Sequence, residues 1–302
     1  MTERRVLLVT HVGRPDAVAL AREIAHELTT SGIEVRALVD EAHELGDPSV
    51  QGVHPADAAS GCELVVVLGG DGTVLRSAEL SRAFDVPLLG VNLGHVGFLA
   101  EAEVDDKRSV VASIVERSWT VEERTTLDIV VRIDGVETER SWALNEASVE
   151  KASRERMVEV LVEIDGRPLS RWGCDGVVAA TPTGSTAYAF SAGGPVVWPE
   201  VEAMLVVPIS AHALFARPLV VSPTSVIAVD VLGSNYAGAV MWCDGRRSIE
   251  LTGGSRVEIT RHGQPVRFAR LHKAPFTDRL VAKFELPVDG WGGQRRRLDG
   301  TP

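Results

Sequence analysis

Cysteine is scarce in this chain: three residues in 302, at Cys62, Cys174 and Cys243. An odd number of widely spaced thiols with no CxxC pair supports neither a disulfide framework nor a zinc ribbon. Reduced thiols in a cytoplasmic protein are the expectation. Positive charge is also in deficit. The 31 Lys and Arg against 42 Asp and Glu leave a formal net charge of -11 and a pI near 5.3. That balance argues against nucleic acid or an anionic membrane surface as partner, and leaves room for a local anion site. Long apolar runs are missing as well. Val6–Val9 is too short for the apolar region of a signal peptide. The longest uncharged stretch, 176–199, holds Pro182, Pro195, Pro199 and four glycines. In lipid these would leave backbone groups unsatisfied, so no membrane span is expected.

What is present reads as ordinary globular protein, 45% hydrophobic and 24% charged, long enough for about two domains. The first third alternates strand and helix signals. Val6–Thr10, Val35–Val39, Glu63–Leu68 and Pro87–Val91 read as strands. Asp16 is a candidate cap for a helix with apolar positions Val18, Ala21, Ile24, Ala25 and Leu28, ending near Gly32. Thr73–Phe84 reads as a second helix. This pattern predicts an α/β N-terminal domain with a parallel sheet over residues 1–121. Past Trp119 the texture becomes strand-like, with Asp-Gly hairpin signals at 134–135, 165–166 and 244–245. A mostly antiparallel, β-rich domain is expected over 122–290, and a frayed tail over 291–302 with Arg295, Arg296 and Arg297.

The strongest local signal is Gly69-Gly70-Asp71-Gly72-Thr73, between a buried strand and a helix start. Glycines there let backbone N–H groups approach a ligand, and a helix N-terminus favours negative charge, so a phosphate fits. A carboxylate inside a phosphate loop needs another role. Asp71 is suited to orient a hydroxyl nucleophile as general base, or to hold a metal bridging phosphates. The plainer reading is a tight turn with Asp71 as helix cap, and the pattern alone leaves the two even. The loop is neither a P-loop, since no GxxxxGK[ST] occurs, nor a dinucleotide fingerprint, since position 75 is Leu.

The loop resembles the GGDGT motif of NAD kinases, of diacylglycerol-type lipid kinases and, in variant form, of phosphofructokinases. Three further segments resemble NAD kinases in particular: Asn92-Leu93-Gly94-His95-Val96-Gly97-Phe98-Leu99, Asn145-Glu146, and Thr181-Pro182-Thr183-Gly184-Ser185-Thr186-Ala187-Tyr188 followed by Gly193-Gly194. They occur in the family's order and span nearly the whole chain. The resemblance implies phosphoryl transfer to the 2′-hydroxyl of the adenosine ribose of NAD, giving NADP, with an α/β N-terminal domain and a β-sandwich-like C-terminal domain. It also implies a homo-oligomer, with ATP, another triphosphate or polyphosphate as donor. Asp71 matches the base. Gly69, Gly70, Gly72 and Thr73 match the phosphate cradle, with Arg76 one turn into the helix. Asn145 and Glu146 match residues holding the adenosine half. Thr186, Ala187, Tyr188, Ala189, Phe190 and Ser191 match the stretch around adenine and ribose. Asp175 matches a carboxylate at the nicotinamide half, and Arg156 aligns by spacing. A divalent metal, Mg2+ by preference, would neutralise the donor phosphates; no dedicated metal cage is visible.

Within that frame the hydroxyls of Thr181, Thr183, Ser185 and Thr186 are expected to face the nucleotide, and Gly184, Gly193 and Gly194 to let backbone approach it. His95 reads as a structural turn histidine ahead of a phosphate contact, and His212 as a packed histidine as readily as a lining of the nucleotide site. Trp119, Trp142 and Trp172 read as core or interface anchors. Two rival functions share the loop: a lipid kinase and a non-catalytic dinucleotide sensor. The lipid kinase lacks the Asn-Glu and Thr-Pro-Thr-Gly-Ser-Thr-Ala-Tyr segments. The sensor is disfavoured by intact Asp71 and Glu146.

Overall fold

Residues Leu64–Leu68 are apolar without a break, as a strand covered on both faces must be, and all five are fully buried. In the computed structural model, residues 4–11, 13–93, 97–100, 102–103, 107–154, 156–233, 238–272 and 275–288 are described. His95 and the tail 291–302 lie outside them. The chain divides into two units, Met1–Val121 with Ala269–Pro302, and Glu122–Phe268.

The first unit alternates β1 (Arg5–Thr10), α1 (Pro15–Thr30), β2 (Glu34–Leu38), α2 (Val39–Leu45), β3 (Val50–Val53), β4 (Leu64–Leu68), α3 (Asp71–Ser81), β5 (Leu88–Asn92), β6 (Ala102–Glu103) and α4 (Lys107–Glu116). Pairing runs β3-β2-β1-β4-β5, parallel throughout. The order turns between β1 and β4, so their carboxyl ends flank the kind of crevice that α/β proteins use for ligands. Ala17, Ala21, Ile24, Ala25 and Leu28 of α1 pack into the same core as β1, β2 and β4. Pro15, whose fixed φ suits a first helical turn, opens α1. Asp16 therefore sits inside the first turn, paired with Arg14, and does not cap it. The second helix begins at Asp71, two residues before the expected Thr73, because Gly70 accepts the first helical bonds from Thr73 and Val74. Residues 82–84 form a 3-10 turn after it.

The second unit contains β8 (Leu127–Ile133), β9 (Val136–Ala143), β10 (Glu146–Lys151), β11 (Val158–Ile164), β12 (Arg167–Cys174), β13 (Gly176–Ala180), the short α5 (Tyr188–Ser191), β14 (Met204–Ile209), β15 (Leu219–Val221), β16 (Ile227–Val231), β17 (Ala239–Cys243), β18 (Arg247–Leu251) and β19 (Ser255–Arg261). Two six-stranded antiparallel sheets form, ordered β15-β14-β13-β10-β17-β18 and β12-β11-β16-β19-β8-β9. Val149, Val177, Val206 and Met241 of one share a core with Val160, Val229, Val257 and Trp172 of the other, the packing of a sandwich. The Asp-Gly signals at 134–135 and 165–166 make two-residue hairpins with both residues at positive φ.

The chain then departs from the expected 122–290 domain. β20 (Val266–Arg270) adds to the first sheet beside β5, next to β7 (Thr120–Arg124), and α6 (Phe276–Phe284) follows in the first unit. Phe276 and Phe284 of α6 meet the ring of Phe98 at centroid distances of 6.0 and 5.8 Å. The second unit therefore ends at Phe268. Trp172 lies in its core, and Trp119 packs half-buried on the core of the first unit. No described helix is long and apolar enough to cross a membrane.

Candidate active site

Asp71 is the first residue of α3, and no side chain caps that helix. Its Oδ2 accepts the Phe98 N–H and its Oδ1 the Leu99 N–H, both at 3.1 Å. The carboxylate is thus aligned by backbone, and each oxygen keeps a lone pair for a further donor. Gly97 makes the alignment possible: a Cβ there would stand 2.4 Å from Asp71 Oδ1. Gly70 and Gly72 are exposed, and a Cβ on either would meet nothing within 4 Å, so open space lies over the loop. Gly69 differs. It is buried, and a Cβ would stand 2.4 Å from Thr73 Oγ1, so the Thr73 side chain folds over it.

Arg76 does not stand free over the loop. Its guanidinium donates to Thr10 O at 3.0 Å and pairs with the buried Glu41 carboxylate. Glu41 also accepts the Thr10 N–H at 2.8 Å. Burial pushes the Glu41 carboxyl up, against the pull of that N–H and of Arg76.

In the second unit, Asn145 and Glu146 are both buried at the start of β10. Asp244, at the turn after β17, fixes them. Its carboxylate accepts the N–H of Leu144 at 3.0 Å and of Asn145 at 2.7 Å, and its own N–H donates to Glu146 O at 2.9 Å. Arg247 closes the cluster, 3.0 Å from Asp244 and stacked over Trp142 at 4.5 Å. Burial raises the Asp244 carboxyl in spite of these donors. Sequence reasoning missed Asp244, because Asp-Gly after a strand reads as a turn. The one available signal was the repeat of Cys-Asp-Gly at 174–176 and 243–245.

Residues Glu146, Ser148, Glu150, Tyr188, Trp242 and Gly245 line a cavity of about 320 Å³. Alternation along β10 puts residues 146, 148 and 150 on one face, while Ala147 and Val149 join the core. Glu146 is only 7% exposed and its Oε2 has no hydrogen-bond partner. Burial first, and then the charge of Asp244, push its pKa up to about 8, against the Tyr188 N–H. Burial and the charges of Glu150, Asp175 and Glu146 raise the Tyr188 phenol in turn. Asp175 forms an ion pair with Lys151 at 2.5 Å, which holds its carboxyl below the usual range.

Within the Thr-Pro-Thr-Gly-Ser-Thr stretch, Thr181 and Ser185 turn inward. Thr181 Oγ1 donates to Leu144 O at 2.6 Å and accepts the Gly184 N–H. Ser185 Oγ bonds Pro182 O and the Val197 backbone. Both residues are fully buried, so the expectation that their hydroxyls face a nucleotide is corrected for Thr181 and Ser185. A Cβ on Gly184 would stand 2.0 Å from Asn145 O, and one on Gly194 2.7 Å from Ala189 O. The close approaches these two glycines allow are to their own chain. Ala189 packs in an apolar cluster with Val178, Leu205 and Val207, so its side chain supports α5 from inside. Tyr188, Phe190 and Ser191 are exposed, and Thr186 and Ala187 half-buried. Arg156 is exposed in the connection from β10 to β11. His212 pairs through its backbone with Gly173 and its side chain is exposed.

A glycine loop with a backbone-aligned carboxylate in an α/β unit, and a carboxylate-lined cavity in a β-sandwich, define a nucleotide-handling phosphotransferase. Residues 6–119 match the ATP-NAD kinase N-terminal domain and residues 144–271 the ATP-NAD kinase C-terminal domain. The chain belongs to the NAD kinase family. It is 59% identical over 308 residues to the NAD kinase of Thermobifida fusca, covering 99% of this chain and 94% of that one. It is also 59% identical over 293 residues to NAD kinase 2 of Streptomyces coelicolor, covering 96% and 97%. Among solved structures, yeast NADH kinase complexed with NADH superposes with a TM-score of 0.87 at 23% identity, covering 97% of this chain and 91% of that one, a likeness of fold. The NAD kinase of Archaeoglobus fulgidus in complex with ATP gives 0.70 at 27% identity, covering 93% and 98%.

Proposed function

We propose that the chain transfers the terminal phosphoryl group of ATP to the 2′-hydroxyl of the adenosine ribose of NAD, giving NADP and ADP, as a cytoplasmic homo-oligomer. The observation that carries this is the Asp71 carboxylate, aligned by two backbone amides at an uncapped helix start, in a chain matching both domains of the family. Phosphoryl transfer asks a protein mainly for positioning and charge neutralisation. Asp71 takes the 2′-hydroxyl proton, the ribose oxygen bonds to the γ-phosphorus, and ADP leaves with the electron pair of the broken P–O bond. Gly69, Gly70, Gly72 and Thr73 hold the transferring phosphoryl through the loop and the helix start. With Arg76 turned to Glu41, neutralisation falls to the loop amides and to a cation. Among the described residues no cluster of three or more His, Cys, Asp or Glu forms a cation cage. A divalent ion, Mg2+ by preference, would neutralise the donor phosphates, its usual partners being the substrate phosphates and few protein oxygens. Asn145, Glu146, Asp175 and the Thr186–Ser191 segment hold NAD, and Arg156 is an outer phosphate contact.

Incubation with NAD, ATP and Mg2+ should yield NADP. Phosphorylation of diacylglycerol with none of NAD would overturn the reading in favour of a lipid kinase. NAD binding without turnover would favour a sensor. Replacing ATP by polyphosphate in the same assay identifies the donor.

A further inference from the structure

Asp71 is held by the backbone of Phe98 and Leu99, and that backbone is itself held by residues from late in the chain. Phe98 and Leu99 are both buried. The Leu99 N–H, which donates to Asp71 Oδ1, belongs to the same peptide group as the Phe98 carbonyl. Arg279 of α6 donates through Nη1 to that carbonyl at 3.1 Å. One peptide therefore joins a guanidinium on one side to the Asp71 carboxylate on the other. A cationic donor at a carbonyl polarises the amide, and the N–H of the same peptide becomes the stronger donor. Arg270, at the end of β20, donates to the next carbonyl, Leu99 O, at 3.4 Å. The Phe98 ring meets Phe276 and Phe284. Phe276, Arg279 and Phe284 share one stripe of α6, so a single helix face grips both the ring and the carbonyl of Phe98.

A guanidinium that served only to dock α6 could take any acceptor on the surface beneath it. This one takes the carbonyl of the peptide whose N–H holds Asp71. Gly97 leaves little slack between the segment and the carboxylate, since a Cβ there would stand 2.4 Å from Asp71 Oδ1. A shift of the Phe98–Leu99 peptide is therefore a shift of the carboxylate, and about 1 Å of misplacement is enough to slow a reaction roughly 10²-fold. We propose that Arg279 is a positioning residue of the phosphoryl transfer: through the Phe98–Leu99 peptide it fixes the Asp71 carboxylate in the orientation that takes the 2′-hydroxyl proton. Arg270 steadies the following peptide in the same way. The proposal rests on the reading of Asp71 as base, and it extends the site to a helix about 180 residues further along the chain.

Arg279→Met keeps an unbranched stem and removes the charge and the donors. It should lower kcat for NADP formation roughly tenfold while KM for NAD stays within about twofold, the split expected of a residue that orients the base and does not bind the acceptor. Arg279→Lys returns one cationic donor and should recover part of the loss. Hydrogen exchange at the Phe98 and Leu99 amides, read by mass spectrometry, should be faster in Arg279→Met than in wild type. The deciding measurement is a double variant. In an Asp71→Asn background Arg279→Met should slow turnover little further, because its effect runs through Asp71. Equal losses in the two backgrounds would overturn the proposal, since a merely structural role slows both alike. Unchanged exchange at Phe98 and Leu99, or a Lys variant no faster than the Met variant, would overturn it too. Where Arg279→Met does not fold, Arg279→Lys against wild type carries the comparison, and an unaltered kcat would count against the proposal. Absence of NADP from wild type would defeat the kinase reading alone, and the exchange comparison would still decide whether Arg279 holds the peptide beneath Asp71.

Discussion

Glu146 has a carboxyl group whose neutral form the fold favours, with a pKa near 8 set by burial and then by Asp244. A folded pKa above the unfolded one means that the folded chain binds more protons between the two values. Stability from this group is therefore full below the unfolded pKa and is lost as pH rises to about 8. Urea unfolding between about pH 5 and pH 8 should show this slope in wild type and a shallower one in Glu146→Gln. Asp244→Ala should destabilise the chain by about 2–3 kcal/mol, since it strips the acceptor from two buried N–H groups and removes the carboxylate that Arg247 pairs with. Asp71→Asn should keep NAD binding while kcat falls by at least ~10², read from NADP formation and calorimetry. Asp71 stood out locally as a carboxylate in a glycine loop, whereas Glu146 drew notice only through the resemblance of Asn145-Glu146 to the family's segment. Asp244 was not legible, because its partners lie 99 and 100 residues away.

Elements place these groups more than single residues do. The loop before α3 and the segment Gly97–Leu99 form one device, in which a glycine makes room for the carboxylate its neighbours hold. Gly97→Ala should displace Asp71 and cut kcat by roughly 10²-fold while thermal unfolding changes little. In the second unit, the 3-10 turn 183–186 seats Gly184 against the Asn145 carbonyl. Gly184→Ala should cost about 3 kcal/mol by overpacking, seen as a lowered Tm. The hairpins were legible because Asp-Gly pairs demand positive φ at both residues. The inward turn of Thr181 and Ser185 was not. Hydroxyls that bond buried backbone and hydroxyls that bond a ligand have the same sequence, and only the burial of Thr181 and Ser185 separates them.

At the scale of the whole molecule, the net charge of -11 repels both proposed substrates at long range, so the proposed function calls for local attraction, for which loop amides, a helix start and a donor-borne cation are the proposed sources. The α/β and antiparallel halves were readable from their strand spacing. The return of β20 to the first sheet was not, since a short strand after a run of similar strands carries no mark of which sheet it joins. Truncation after Phe268 should leave the second unit protease-resistant and unfold the first, which would lose Arg270, its bond to Leu99 O, and the Phe276 and Phe284 contacts to Phe98. Limited proteolysis with mass spectrometry reads that outcome. The same strand sets an order of assembly during translation. Domains ordinarily fold on the ribosome from the N-terminus onward. Here β5 waits for a neighbour synthesised more than 170 residues later, while every strand of both sandwich sheets has by then been made. The half of the enzyme that carries Asp71 is begun first and completed last.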